Sequence, residues 1–228
     1  AYFKQYGIER VVIADTVLQD QFSDFFFKEL IPRKIRIQKL PDFYEELLQK
    51  VPVQSISKQW FLDNLDESKF ALYDRLKRLG DILGVILFAL PAAIVSVVVM
   101  VALLIEGKTS IVYSQKRVHQ GGGLFTMYKF ASMAPDAEKN GPQWSSTHDL
   151  RVTRVGKIIR KLHFDEIPQL YNILRGEMSF IGPRPERPEF VEMLQKSIPF
   201  YYQRFLVKPG LSGWAQLNYP YGSDVKDA

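Results

Sequence analysis

The sequence predicts an α/β protein whose two soluble parts are joined by one membrane-embedded helix. Three observations carry that prediction. Short strand-type and helix-type segments alternate through residues 1–65, a 24-residue uncharged run occupies Ile82–Ile105, and a basic region rich in further short elements follows from residue 106. The chain has 228 residues, which suits one domain or two small ones. It has no cysteine, which excludes a disulfide scaffold, a thiolate metal site and a cysteine nucleophile. Its three histidines, His119, His148 and His163, are too scattered for a zinc cage.

Arg10–Ala14 is a short apolar run of strand type, and Leu18, Phe22, Phe25, Phe26 and Leu30 recur at helical spacing. Lys34–Ile37 alternates as a strand does. Pro41-Asp42 opens a helix that runs to Leu48, proline being tolerated in a first turn. Val51–Val53 completes the pattern as a third strand. The alternation argues for an α/β layer of dinucleotide-fold type, a partial Rossmann-like domain over 1–65. No G-x-G-x-x-G lies within it, so a structural or regulatory role is expected there rather than a working cofactor site.

Residues 66–81 are charged and helix-compatible, a linker and juxtamembrane helix. In 82–105 only Gly84, Pro91 and Ser96 fall outside the Ala, Val, Ile, Leu, Met and Phe set. About 20 such residues suffice to span a bilayer. Two features argue for a re-entrant course instead. Pro91 removes a backbone donor inside the run and bends or breaks the helix. Both flanks are basic, Arg75, Lys77 and Arg78 before it and Lys108, Lys116 and Arg117 after it, which draws both ends to the cytoplasmic side. The residues alone leave a re-entrant helix, a full span and a soluble core helix open.

The whole net charge of +5 resides in 106–228, with 17 Lys or Arg against 12 Asp or Glu. Arg151, Arg154 and Lys157 recur at helical spacing in the acid-free stretch Arg151–Lys161, a face suited to phosphate or anionic lipid. No nucleic-acid-binding signature accompanies it, so no nucleic-acid partner is expected. Asp165-Glu166, followed by Pro168 and an apolar stretch to Leu174, reads as a helix start with Asp165 as N-cap. With Arg160 five residues upstream, it is a candidate phosphoryl-transfer centre of two carboxylates and a cation. Gly182-Pro183-Arg184-Pro185 follows a short strand, Met178–Ile181. Gly182 and Arg184 each precede a proline and are thereby held extended, which suits Arg184 to bidentate phosphate contact. Arg187, closing this segment, and Arg151 are further phosphate-binding candidates. Val207–Asn218 is a Gly- and Pro-rich turn suited to a pocket rim, and its spacing assigns it no chemistry. Phe200, Tyr201, Tyr202 and Phe205 around Arg204 read equally as an interfacial amphipathic patch or as core.

These segments together resemble the bacterial sugar transferases, the polyprenyl-phosphate hexose-1-phosphate transferases. The matching pieces run in order from Lys77-Arg78 and Asp81 through Tyr113–Val118, Tyr128–Phe130 and His148–Gly156. They continue with Asp165–Gln169, Arg175–Pro185 and Lys208–Gln216. Residues 75–226 are covered, two-thirds of the chain. The first 65 residues resemble the degenerate dinucleotide-fold domain of the larger members. The resemblance implies a monotopic catalytic domain with a re-entrant helix over 82–105, interfacial amphipathic helices and a cytosolic transferase domain over 106–228. Lys77, Arg78, Asp81 and Pro91 would be its membrane-interface residues. It implies transfer of hexose 1-phosphate from a UDP-sugar to polyprenyl (undecaprenyl) phosphate, through an aspartyl-phosphosugar intermediate, on the cytoplasmic face of a bacterial inner membrane. Exopolysaccharide, capsule or O-antigen assembly begins with that step. Asp165 matches the nucleophile, Glu166 its partner, and Lys129, Arg160 and Arg184 the cations around the diphosphate. Magnesium is the implied cofactor, with Asp165 and Glu166 at its ligands. Membrane lipids and a second copy of the chain are further implied partners. The sequence departs from the family at Ala131, where an arginine is usual. Because residue 1 is Ala and the sequence stops at Ala228, where larger members continue, upstream membrane helices and a C-terminal tail are expected in a longer protein. A membrane-anchored adaptor and a nucleotide-sensing regulator are the rival classes, and both predict no sugar-phosphate transfer.

Overall fold

The computed structural model describes residues 5–13, 26–52, 56–60, 67–139, 141 and 149–218. The chain divides into two compact units, Ala1–Ser68 and Lys69–Ala228. Helix and strand are mixed in both.

In the first unit, β1 (Arg10–Ile13) pairs in parallel with β2 (Arg36–Lys39), Arg10 opposite Arg36 and Ile13 opposite Lys39. β2 starts two residues later than the alternation predicts. Lys34 ends the 3-10 turn Ile31–Arg33 in the left-handed region, φ 56°, which no strand residue adopts. Of the predicted helix over 18–30, residues 18–25 lie outside the described set and Phe26–Leu30 form one wide helical turn. Pro32 has no N–H with which to continue it. Helix α1 (Leu40–Leu48) starts as expected, with Pro41 and Asp42 in its first turn. Val51 and Pro52 join no strand, since Pro52 has no N–H to give a ladder, and Val53 lies outside the described residues.

The second unit is organised by one helix, α2 (Glu67–Ile105). Pro91 lies inside it and does not end it, contrary to a break; only the Leu87 carbonyl loses its donor. Both ends of α2 hold to the same unit. Near its start, Lys77 donates to Ile181 O at 2.7 Å, and Arg78 donates to Ile173 O and Leu174 O at 2.5 and 2.6 Å. Buried Asp81 accepts from Ser179 Oγ at 2.9 Å and Phe180 N at 3.0 Å. Val85 packs with Phe125, Met127, Ile173 and Met178. Past the proline, Val99 and Leu103 pack with Phe130 and Ile159, and Glu106 just after the helix accepts from Val155 N at 2.9 Å. Between these anchors, from Ile86 to Ile94, only Ala92 is even half-covered. An 18-residue window of α2 has a mean hydropathy of 2.8 and is 11% buried, so the helix is long and apolar enough to cross a membrane. So much exposed aliphatic surface is suited to lipid contact.

Strands β3 (Val112–Val118) and β4 (Leu124–Phe130) form an antiparallel hairpin in which Tyr113 faces Lys129. Helix α3 (Arg154–Lys161) follows, with Thr153 Oγ1 capping Gly156 N at 3.0 Å. Arg151 precedes α3 and so does not share a helical face with Arg154 and Lys157. Beyond the 3-10 turn Phe164–Glu166 come α4 (Gln169–Arg175), β5 (Ser179–Ile181) and α5 (Pro188–Ser197). The 3-10 turn Tyr201–Leu206, β6 (Gly210–Ser212), parallel to β5, and α6 (Trp214–Asn218) complete the unit. Tyr201 and Phe205 are buried with Val118, Val191 and Leu194, so the aromatic segment 200–205 is core rather than interfacial patch. Its neighbours supply enough apolar surface to cover both rings, while Tyr202 between them turns outward.

α3 seats against the loop after β4 so closely that a Cβ on Gly156 would stand 2.0 Å from Ser132 O. Gly156→Ala is expected to destabilise the protein by about 1–3 kcal/mol, the usual cost of overpacking. Urea denaturation in detergent reads this directly, and an unchanged midpoint would contradict the close seating.

Candidate active site

A cleft in the second unit is lined by Arg117, Met127, Lys129, Glu166, Gln169, Arg184, Pro185, Gly210, Leu211 and Gln216. Each wall is built by a local feature of the sequence. β4 alternates, so Met127 and Lys129 point the same way, the first into the core cluster and the second into the cleft. Asn172, fully buried in α4, bonds the edge of β4 that β3 leaves free. Its Oδ1 accepts from Tyr128 N at 3.2 Å and its Nδ2 donates to Thr126 O at 2.7 Å. The amide thereby sets the register between Lys129 and the segment that leads into α4.

That segment carries the two carboxylates. His163 follows α3 in the left-handed conformation, φ 57°, and reverses the chain. Phe164 then packs towards the core while Asp165 and Glu166 lie in a 3-10 turn. Asp165 is therefore not an N-cap. α4 starts only at Gln169, because Pro168 has no N–H for a bond to Phe164 O, and Pro168 itself takes the cap position. Lys129 Nζ bonds Glu166 Oε1 at 2.8 Å, with both side chains largely buried. Asp165 is 7% exposed and stands beside the cleft, next to this pair.

The Pro-Arg-Pro turn forms the opposing rim. Its successive carbonyls are each taken by a different element. Pro183 O accepts from Gly210 N at 2.8 Å, Arg184 O from Arg204 at 2.9 Å, and Pro185 O from Arg117 at 3.0 Å. Glu186 O accepts from Val118 N at 2.9 Å. β6 approaches so closely that a Cβ on Gly210 would stand 2.1 Å from Gly182 N. Gly210, Leu211 and Gln216 line the cleft, as the rim expected of the Val207–Asn218 turn.

The charges are coupled. Burial raises the Asp165 pKa most; Lys129 opposes this, adjacent Glu166 raises it further, Arg160 opposes again, and the result stays above the ordinary carboxylate value. Burial also acts to raise Glu166, but the charge and hydrogen bond of Lys129, with Arg184 and His163, outweigh it and hold Glu166 below the usual range. Glu166 is thus the committed anion. Asp165 is the carboxylate whose charge needs a further cation.

The structure brings Lys129, Glu166 and Arg184 into one cleft, with Asp165 beside it and Arg160 close enough to act on Asp165. Two of the predicted phosphate-binding residues stand elsewhere. Arg151 is bidentate on Asp149, at 2.7 and 2.6 Å, and Arg187 bonds both oxygens of Glu138 at 2.8 Å. Neither lines the cleft: Arg151 pairs with a carboxylate two residues away, and Arg187 with one on the loop after β4. His148 lies outside the described residues. Arg117, Gln169 and Gln216 line the cleft without having been singled out by spacing. Among the described residues, Arg117 Nε, Gln169 Nε2 and Gln216 Oε1 are buried atoms without a hydrogen-bond partner. All three residues belong to this cleft. No group of three or more His, Cys, Asp or Glu among the described residues forms a metal cage.

Residues 72–227 match a family described as bacterial sugar transferase. The chain is 40% identical over 172 residues to the UDP-N-acetylgalactosamine-undecaprenyl-phosphate N-acetylgalactosaminephosphotransferase of Aeromonas hydrophila, 73% of this chain and 41% of that one. It is 32% identical over 227 residues to the UDP-glucose:undecaprenyl-phosphate glucose-1-phosphate transferase of Xanthomonas campestris pv. campestris, 95% of this chain and 46% of that one. An uncharacterized sugar transferase of Bacillus subtilis (strain 168) is 33% identical over 147 residues, 63% of this chain and 68% of that one. The chain thus spans less than half of the Aeromonas and Xanthomonas relatives.

Lys129 lowers the Asp165 pKa more strongly than Glu166 raises it. Lys129→Gln is therefore expected to raise the Asp165 titration further, leaving more of it protonated at a given pH. Carboxyl 13C NMR, with Asp165→Asn for assignment, reads the shift, and a downward movement would contradict this electrostatic ordering.

Proposed function

The chain belongs to the bacterial sugar transferase family, and from that premise we propose that it moves a sugar 1-phosphate from a UDP-sugar to polyprenyl phosphate. The observation that carries the reading is a cleft lined by Glu166, paired with Lys129, and by Arg184, with buried Asp165 adjacent to Glu166 beside it. The names of the Aeromonas and Xanthomonas relatives specify undecaprenyl phosphate as acceptor and a UDP-sugar as donor, which agrees with it.

Asp165 serves as nucleophile. Lys129 is bonded to Glu166, which leaves the Asp165 oxygens for another partner. Attack on the sugar-bearing phosphorus gives an aspartyl phosphosugar and releases nucleoside monophosphate. Polyprenyl phosphate then takes the phosphosugar from the carboxyl. Division into two displacements lets a water-soluble donor react and leave before a lipid acceptor approaches. Lys129 and Arg184 reduce repulsion between carboxylate and phosphate in both steps. Asp165, with Glu166 as neighbour, would hold a magnesium ion. Two adjacent carboxylates, one already paired, cannot cage an ion alone, but they fit one that takes its remaining oxygens from phosphate. Bound there, the ion supplies charge neutralisation at the phosphates.

The acceptor's chain stays in lipid, so the cleft must lie at headgroup depth. A re-entrant course for α2 on the cytoplasmic face of a bacterial inner membrane provides that. Its support is the exposed Ile86–Ile94 segment, centred near Pro91, between two anchors on one unit. The aliphatic stems of Lys77 and Arg78, with their heads on backbone carbonyls, mark the depth of entry. The parallel β1–β2 pair supports a partial Rossmann-like first unit. The product would start exopolysaccharide or capsule assembly.

Incubation with labelled UDP-sugar alone is expected to give a covalent adduct on Asp165 and to release UMP. Asp165→Asn should reduce both to background. An adduct on another residue, or turnover by that variant, would overturn the assignment. The native chain has no cysteine, so single cysteines at Arg75 and Thr109 report topology cleanly. Both are expected to be protected from an impermeant thiol reagent in intact cells. Labelling of one alone would establish a full span.

A further inference from the structure

Arg117 is a cation of the cleft to which the sequence assigns only a place in the basic flank after the apolar run. Its side chain is 14% exposed. One guanidinium nitrogen donates to Pro185 O at 3.0 Å and the other to Gln115 Oε1 at 2.6 Å. Its closest carboxylate, Glu186, stands off at 3.8 Å. Nε has no partner, and a buried N–H left unmade costs more than an ordinary bond returns. Burial lowers its pKa most, Glu186 opposes, and Arg184 and Arg187 lower it further, to about 10. The group therefore stays charged at neutral pH.

The hairpin register and the hydrogen bonds space the cations along the cleft. Lys129 faces Tyr113 and bonds Glu166, whereas Arg117 faces Phe125, four positions further along the ladder, and bonds Pro185 O, next to Arg184. Lys129, Arg184 and Arg117 all line the cleft, so Arg117 belongs to the Pro-Arg-Pro rim rather than to the carboxylate pair. In an in-line displacement the nucleophile attacks on one side of the phosphorus and the departing oxygen leaves on the other. A phosphate leaving from an attack by Asp165 would leave towards the rim that carries Arg184 and Arg117.

We propose that Arg117, with Gln169, forms a second phosphate subsite that receives the phosphate departing with the nucleoside and later holds the phosphate of the incoming lipid. This rests on the transfer reading above. In the first step an Asp165 oxygen bonds to the sugar-bearing phosphorus. The bond from that phosphorus to the bridging oxygen breaks, and its electron pair stays on that oxygen, now part of UMP. In the second step an oxygen of polyprenyl phosphate attacks the same phosphorus from the vacated side, and the carboxylate leaves with its pair. Both ligands present a phosphate monoester to the same N–H groups, so they exclude one another. Arg117 Nε and Gln169 Nε2 are unpartnered donors, as phosphate oxygens require. Gln216 Oε1 is an acceptor and is left for a hydroxyl of the donor.

The test uses the full chain in nanodiscs. UMP binding is measured by calorimetry for wild type, Arg117→Lys and Gln169→Glu. Removal of a charge-assisted bond is expected to weaken UMP about tenfold or more in Arg117→Lys. Gln169→Glu, which replaces a donor by an anion, should weaken it as well. UMP should compete with polyprenyl phosphate in wild type, and Arg117→Lys should raise the KM for the lipid in parallel. Arg117 also holds the Pro-Arg-Pro turn, so a structural role is separated by donors carrying sulfur on one phosphorus. The penalty of Arg117→Lys should shrink for the donor with sulfur on the nucleoside-side phosphate and persist for the donor with sulfur on the sugar-side phosphate. An equal penalty with every donor, or unchanged UMP affinity in both variants, would overturn the subsite. A wild type that binds UMP through Arg117 yet never forms an adduct would sink the transfer reading alone.

Discussion

The ion pair between Lys129 and Glu166 is the interaction on which the second unit's chemistry depends. Two adjacent carboxylates in a dry setting cannot both hold their charge without a cation, and a buried ammonium cannot hold its own without an anion. At 2.8 Å the pair gives Glu166 its cation and Lys129 its anion, although burial still lowers the Lys129 pKa, and it leaves Asp165 as the group in need of a further positive partner. The hairpin, the reversal at His163 and the late start of α4 all serve to bring a strand lysine to a turn glutamate. Asn172 fixes that meeting, since its amide bonds the strand at Thr126 and Tyr128, just before the lysine.

Depth in the membrane and geometry of the cleft are joined through one short stretch of chain. Lys77, Arg78 and Asp81 of α2 bond backbone and side-chain groups between Ile173 and Ile181. That stretch begins within α4, which follows the carboxylates, and ends at the Pro-Arg-Pro turn. The long apolar helix is thereby tied directly to the chain that builds the cleft. Under the proposed transfer, such a link would bring a soluble and a lipid-borne phosphate to one site.

The Pro-Arg-Pro turn shows how stiffness is obtained without regular structure. Two prolines restrict the backbone, and the carbonyls of Pro183, Arg184, Pro185 and Glu186 are each fixed by a different donor. Two of those donors are arginines, Arg117 and Arg204, and Arg117 also lines the cleft. One side chain can thus hold the scaffold and line the site.

Much of this was legible in the residues. The apolar run, the helix opened by Pro41, the strand before Gly182, the adjacency of Asp165 and Glu166 and the extended backbone at Arg184 are local matters of covalent geometry, periodicity and proline chemistry. The hairpin of Val112–Phe130 was not announced by pattern, because its strands mix polar and apolar residues on both faces. Nor did pattern decide that Tyr201 and Phe205 are core, that Arg151 and Arg187 answer to Asp149 and Glu138, or that Arg117 reaches the cleft. By itself, then, the sequence determined the long apolar helix, the helix opened by Pro41 and the stiff prolines around Arg184, since each of those follows from neighbours along the chain. Only the tertiary structure decided which charges share a dry space, because a charge is paired or stranded by residues far away in sequence and near in space.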